Sequence, residues 1–222
     1  MLDRAKWDRW GAAGGVAFVV LLLIGFFLPG EEPPGHEDPN TAFVHYVLSN
    51  HTELLFTGIL GGLAFIAFLW FLGSLVKAMR DAGEGRLGTI AFSGGIGATA
   101  LAFVGLAIGT AVSYRIAKDD PTSVKAWFDL DNVVFTLISF PVTALTFATG
   151  IAALRSGFLP RWFGFVSGVV SVPLVFAGGA LVAEGLYAPD GEYSFITFLI
   201  FLAWMLAASY LLIRRAGESE AS

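Results

Sequence analysis

Apolar residues run along this chain in six blocks, with cores near residues 11 to 28, 54 to 76, 89 to 112, 133 to 154, 162 to 183 and 195 to 213. Each block approaches the roughly 20 residues of helix needed to cross a hydrocarbon core about 30 Å thick. Polar stretches bearing Pro, Gly or charge separate them, at residues 29–39, 77–86, 118–122, 155–161 and 188–192. Such stretches stop a membrane helix. The pattern predicts an all-α integral membrane protein, a bundle of about six transmembrane helices forming a single domain over residues 1–222.

The first separator opens an outer loop over residues 29–53. Within it Pro39, Asn40 and Thr41 precede Ala42, Phe43, Val44, Tyr46, Val47 and Leu48. This is the pattern of a capped, short interfacial helix lying on the outer leaflet and leading into the second span. The first block follows a basic segment, as a secretory signal does. Phe26, Phe27, Leu28 and Pro29 offer no small-x-small cleavage site, however, and the apolar run exceeds a signal core, so it reads as a retained signal-anchor helix.

Composition supports the bilayer as solvent, because 56% hydrophobic against 14% charged residues is too apolar for a water-solvated surface. Six spans and their turns use nearly all of the 222 residues and leave no room for a soluble catalytic domain. The absence of Cys excludes disulfides, thiolate nucleophiles and Cys-based metal sites.

Charge orients the spans. Arg4, Lys6, Arg9, Lys77, Arg80, Arg86, Arg155, Arg161, Arg214 and Arg215 all fall on one side. The other side receives only Arg115, Lys118 and Lys125, against Glu31, Glu32, Glu37, Asp38, Glu53, Asp119, Asp120, Asp129, Asp131, Glu184, Asp190 and Glu192. Three basic against twelve acidic residues leave −9 there, ten against six leave +4 opposite, and together these make the net −5. The positive-inside rule then puts both termini in the cytoplasm. Basic residues on that side also lean on anionic lipid.

Helices in lipid are sorted by close backbone approach and interhelical hydrogen bonds, so small residues mark packing faces. On the third span Ala91, Gly94, Ala98, Ala102, Gly105, Gly109 and Ser113 share one side. On the fifth, Gly164, Gly168, Ser171 and Gly178 do so, with Pro173 a predicted bend. On the second, Gly58 and Gly62 form a shorter pair.

The fourth span carries a polar stripe: Asp129, Asn132, Thr136, Ser139, Thr143, Thr146 and Gly150 lie within one arc, with Pro141 on the far side. Two readings stand. The hydroxyls bond back to carbonyls four residues earlier or to a neighbouring helix. Alternatively they line a polar cavity or path, suited to neutral or amphipathic solutes because no buried charge accompanies them.

Ionisable residues near the membrane are the default functional candidates, and here they gather at the outer rim: Glu53, Tyr114, Arg115, Asp129, Asp131 and Glu184. The middle of every span lacks Asp, Glu, Lys, Arg and His, which counts against ion-coupled transport. Two readings again stand for the rim cluster of Glu53, Arg115, Asp131 and Glu184. It is an interfacial set with Arg115 paired to Asp131 or Glu184, or it is an outer cation or ligand site. His36, His45 and His51 lie in or beside the outer loop at spacings that match no tight metal motif, so no metal or cofactor is expected. No nucleophile elbow, His-Glu-x-x-His or phosphate loop is present. Gly83, Gly85 and Gly88 follow no strand and read as a turn.

The stretch Leu154, Arg155, Ser156, Gly157, Phe158, Leu159, Pro160, Arg161, Trp162, Phe163, Gly164 resembles a hairpin of small bacterial, actinobacterial-type membrane proteins with six or seven spans and a domain of unknown function. Leu69 to Gly73, Arg80 and the Glu84, Gly85 turn are similar as well. The resemblance implies a bacterial plasma membrane and transfers no active-site residues. Without it, Pro160 still suits a first helical turn, Arg161 meets lipid phosphate and Trp162 anchors at the interface.

These features lead to two expectations. The first is a non-enzymatic accessory or stabilising subunit of a larger membrane complex, touching lipid and another membrane protein or a second copy, and no nucleic acid. The second is a facilitator or binding protein for a small neutral or lipidic solute, using the polar stripe and acidic mouth. A lipid-directed enzyme is the weakest reading, because the only positioned acids and bases sit at the rim.

Overall fold

In a computed structural model, which describes residues 4–35, 37–181, 185–189 and 191–221, the chain is helical, with no strand among the described residues. The elements are α1 (Arg4–Phe27), α2 (Asn40–Ser49), α3 (His51–Asp81) and α4 (Gly85–Ala111), then a π-helical turn (Val112–Ile116), the single-turn α5 (Ala117–Asp119) and a 3-10 turn (Pro121–Ser123). Three more follow: α6 (Val124–Ser156), α7 (Arg161–Gly178) and α8 (Glu192–Ala221). Six helices, α1, α3, α4, α6, α7 and α8, are long and apolar enough to cross a membrane.

Helix edges depart from expectation on most spans, and two of these departures have a packing reason. The fifth was expected to reach residue 183, yet α7 stops at Gly178. Gly178 and Gly179 are adjacent poor helix formers, and Gly178 is pressed on Phe140, whose ring atoms lie 2.9 Å from where a Cβ would stand. The fourth was expected to start near 133, but α6 begins at Val124 and runs 33 residues. Its extra turns bury Val124 and Phe128 against α2.

The turns follow glycine geometry. Gly83 (φ 84°) ends α3 with a left-handed residue, its N–H bonded to Arg80 O at 3.0 Å and that of Glu84 to Met79 O at 3.0 Å. This paired closure is the Schellman motif. Gly157 (φ 68°) ends α6 with a left-handed residue too, through a single bond from its N–H to Ala153 O at 3.0 Å.

Each long helix packs on those before and after it, and α8 closes on α1, so the six form a ring with antiparallel neighbours. Close approach is set by missing side chains. A Cβ on Gly94 would lie 2.5 Å from Pro141 O and 2.8 Å from Leu145 N, so α4 and α6 touch backbone to backbone. The predicted α4 face is the one used, with Ala91, Gly94, Ala98, Ala102 and Ser113 buried. α1 meets α3 at Gly14, where a Cβ would lie 2.4 Å from Ala67 O and 3.1 Å from Phe71 N, and meets α8 at Gly15, beside Ser209. The Ser209 hydroxyl donates to Ala12 O, joining first helix to last. These α1 glycines carry no place in the expected small-residue faces. Between α3 and α4 the expected Gly58 and Gly62 divide: Gly58 faces Thr110 and Gly61 faces Leu106, whereas the Cβ position of Gly62 meets no atom within 4 Å.

The main core, with Phe68, Phe71, Leu72, Met79, Phe163, Trp204 and Met205, fills the ring's middle and its basic end. At that end Lys77 bridges Asp8 and Asp81, Arg155 pairs with Glu84, and Arg215 donates to Phe158 O at 3.0 Å.

A second core sits at the acidic end, where α2 lays Phe43, Tyr46 and Val47 on Val112, Ala117 and Val124. The helix was expected to be capped from within Pro39, Asn40 and Thr41, but Pro39 occupies the cap position with no side-chain bond. The Asn40 amide instead clasps the start of α6. Its Oδ1 accepts the Lys125 backbone N–H at 2.9 Å, and its Nδ2 donates to Pro121 O at 2.7 Å. An α6 amide left open by the helix geometry is thus capped from a distant segment. Burial on this cluster and the nearby Glu31 charge both raise the Tyr46 pKa above that of an ordinary phenol.

Asn40→Ala removes the cap acceptor and should cost about 1 kcal/mol, read as a lower unfolding temperature in detergent. Asn40→Asp, which keeps the acceptor, should lose less.

Candidate functional site

The rim candidates do not converge. Arg115 lies on the π turn and pairs through Nε with Asp119, four residues on, with its side chain 73% exposed. The expected pairing to Asp131 is not made, because the i,i+4 carboxylate is nearer along the same helical surface. Glu184, the other expected partner, lies outside the described residues, as does His36. Glu53 stands in the first turn of α3 and forms no hydrogen bond or ion pair with Asp131. His45 and His51 are exposed.

Asp131 has a different setting. Its carboxylate sits in the α4–α6 contact, with Oδ1 2.8 Å from where a Cβ on Gly105 would stand and Oδ2 4.0 Å from that of Gly109. It is half-buried and has no hydrogen bond or ion pair among the described residues. The α4 glycines therefore serve two ends: one part admits the α6 backbone, the other admits a carboxylate.

The threonines of α6 are occupied by internal bonding, whereas the side chains of Asn132 and Ser139 in the same stripe form no hydrogen bond among the described residues. The Thr136 hydroxyl donates to Asn132 O at 2.9 Å, Thr143 to Ser139 O at 2.7 Å, and Thr149 to Leu145 O at 2.8 Å. Such back-bonds satisfy a hydroxyl within its own helix. Thr146 goes further: it bonds to Thr143 O and meets Ser171 Oγ of α7 at 2.8 Å, fully buried. Ser171 donates to Ser167 O at 2.7 Å, and Ser167 Oγ accepts the Trp204 Nε1–H of α8 at 2.8 Å. A polar thread thus runs through α6, α7 and α8 in an otherwise apolar core. Ser167 and Trp204 were not among the sequence candidates. The signal for them was present, since a buried indole N–H seeks an acceptor and Ser167 lies one turn before Ser171.

Two open furrows lie on the ring's surface. One furrow of about 390 Å³ runs between α3 and α4 at the acidic half, floored by Gly58, Gly62, Ala107 and Ala111 and framed by Phe103 and Tyr114. A second, of about 330 Å³, runs between α1 and α3 at the basic end.

Fold and surfaces define the class: a multi-pass α-helical protein with six helices fit to span a membrane. No protein-family model, no curated protein and no solved structure matches the chain.

Two measurements probe these placements. Asp131→Asn should leave the unfolding temperature unchanged or raise it, because it removes a carboxylate held away from water without a bonded partner, whereas Gly105→Leu should lower it. A double-mutant cycle of Thr146→Val and Ser171→Ala should give a coupling of about 0.6 kcal/mol, with an upper bound near 2 kcal/mol.

Proposed function

We propose that this chain is a non-enzymatic accessory or stabilising subunit of a larger membrane complex. The observation that carries this reading is the α3–α4 furrow. Its floor is built of small residues from both helices, and Gly62 leaves space that no atom of the chain fills. In lipid, association depends on packing at small residues, so such a furrow suits a transmembrane helix of another protein. The α6 threonine hydroxyls, by contrast, are taken up in bonds within and between helices, which favours the outward surface as the place for interaction.

The membrane is a bacterial plasma membrane in this reading, as the Leu159, Pro160, Arg161, Trp162 turn implies by resemblance. Both termini are cytoplasmic, since the ten basic residues of one side stand at the end bearing the Lys77, Arg155 and Arg215 contacts. The helix α2 then lies at the outer membrane boundary.

Purification in mild detergent with quantitative mass spectrometry should recover a stoichiometric membrane partner. Gly62→Leu should lower its recovery about tenfold without changing the unfolding temperature; a chain recovered alone, as monomer or homodimer, refutes the reading. Because the chain lacks Cys, orientation is separately testable. An impermeant maleimide on intact cells should label Glu32→Cys and spare Arg86→Cys.

A further inference from the structure

The second furrow differs from the first in being amphipathic. Its apolar floor is Gly11, Leu69 and Gly73, and no atom lies within 4 Å of the Gly73 Cβ position. Its wall is a stacked pair, Trp7 and Trp70, with centroids 5.8 Å apart and planes 11° from parallel. Both indoles are about half exposed, at 48% and 54%. Its polar end holds Lys77, whose Nζ lies 3.0 Å from Asp8 and 2.9 Å from Asp81. The Ser74 hydroxyl and both indole N–H groups have no hydrogen-bond partner among the described residues.

Charge selects the occupant. Among the lining residues Asp8 and Lys77 carry opposite charges, and Asp81 sets a second carboxylate against the same ammonium, so the polar end presents both signs side by side. A headgroup joining an ammonium to a phosphate complements both signs. From this we infer that the α1–α3 furrow is a binding site for an aminophospholipid with a phosphoethanolamine headgroup. The lipid ammonium meets the free carboxylate oxygens of Asp8 and Asp81. Its phosphate takes the third N–H of Lys77 and the Ser74 hydroxyl. The indole N–H groups face the ester carbonyls at the depth where tryptophans anchor in bilayers, and one acyl chain lies over Gly11 and Gly73. Its placement in the inner leaflet rests on the orientation proposed above; the site itself does not.

The test is native mass spectrometry of the detergent-purified full chain titrated with equal dioleoyl-phosphatidylethanolamine and dioleoyl-phosphatidylglycerol. One phosphatidylethanolamine adduct should be retained about tenfold over phosphatidylglycerol. Gly73→Leu, whose Cβ would meet no atom within 4 Å and whose branches would enter the furrow, should abolish that preference, and Gly62→Leu, which fills the other furrow, should not. Asp8→Asn removes the carboxylate that lines the furrow and leaves the Lys77 charge in excess there, so it should shift retention toward phosphatidylglycerol. Should Gly73→Leu fail to fold, Asp8→Asn still decides. Free O-phosphoethanolamine should not displace the adduct, since the furrow holds the chain as well as the headgroup. Equal retention of the two lipids by the unaltered protein, or undiminished phosphatidylethanolamine preference in Gly73→Leu, overturns the site. Inverted maleimide labelling would move the site to the other leaflet and leave the adducts unchanged.

Discussion

Inside hydrocarbon, two backbones touch only where a side chain is missing, and the α4–α6 contact at Gly94 is where this protein relies on that most. The glycine sits against Pro141 O and Leu145 N, at a place where α6 carries a proline and lacks one backbone donor. That contact fixes the distance between the two helices, and the distance fixes what else fits. Towards the acidic end it leaves a slot for a carboxylate, and towards the basic end it lets Leu145 and Ala148 reach the shared core. The α1 glycines repeat the principle on the opposite side, where first and last helices close the ring.

Polar groups in the ring fall into those satisfied internally and those left to the surroundings. The threonine hydroxyls of α6 and the serine hydroxyls of α7 belong to the first kind, since each finds a carbonyl of its own helix and Thr146 and Ser167 also link to the next. Bilayer interiors enforce this, because an unmet donor has no water to turn to. Trp7, Trp70 and Ser74 belong to the second kind. They cluster along the α1–α3 furrow at the basic end of the bundle.

How much of this was legible depends on range. Span number follows from hydropathy alone, and the α4 face follows from its 100° period, because both are local properties of the chain. The same period placed Gly58 and Gly62 together but could not say that Gly61 rather than Gly62 meets Leu106, since that depends on the crossing of two helices. The α6 stripe was visible as a stripe, while its use emerged only with Ser171 beside Thr146. Arg115 is the opposite case: its partner stands four residues on, a spacing readable from the chain, and long-range pairing was expected instead. The end of α7 depended on Phe140 of another helix.

Asn40 has the longest reach of these. Local pattern assigns such a residue to the helix it begins, yet it caps a helix whose first turn lies 85 residues further on. A ribosome therefore delivers the cap long before the segment it serves, together with the short α2 platform that holds it. The start of α6 can settle only after α3 and α4 have been made and have brought it back to that waiting amide, so the order of synthesis is written into the closure of the bundle.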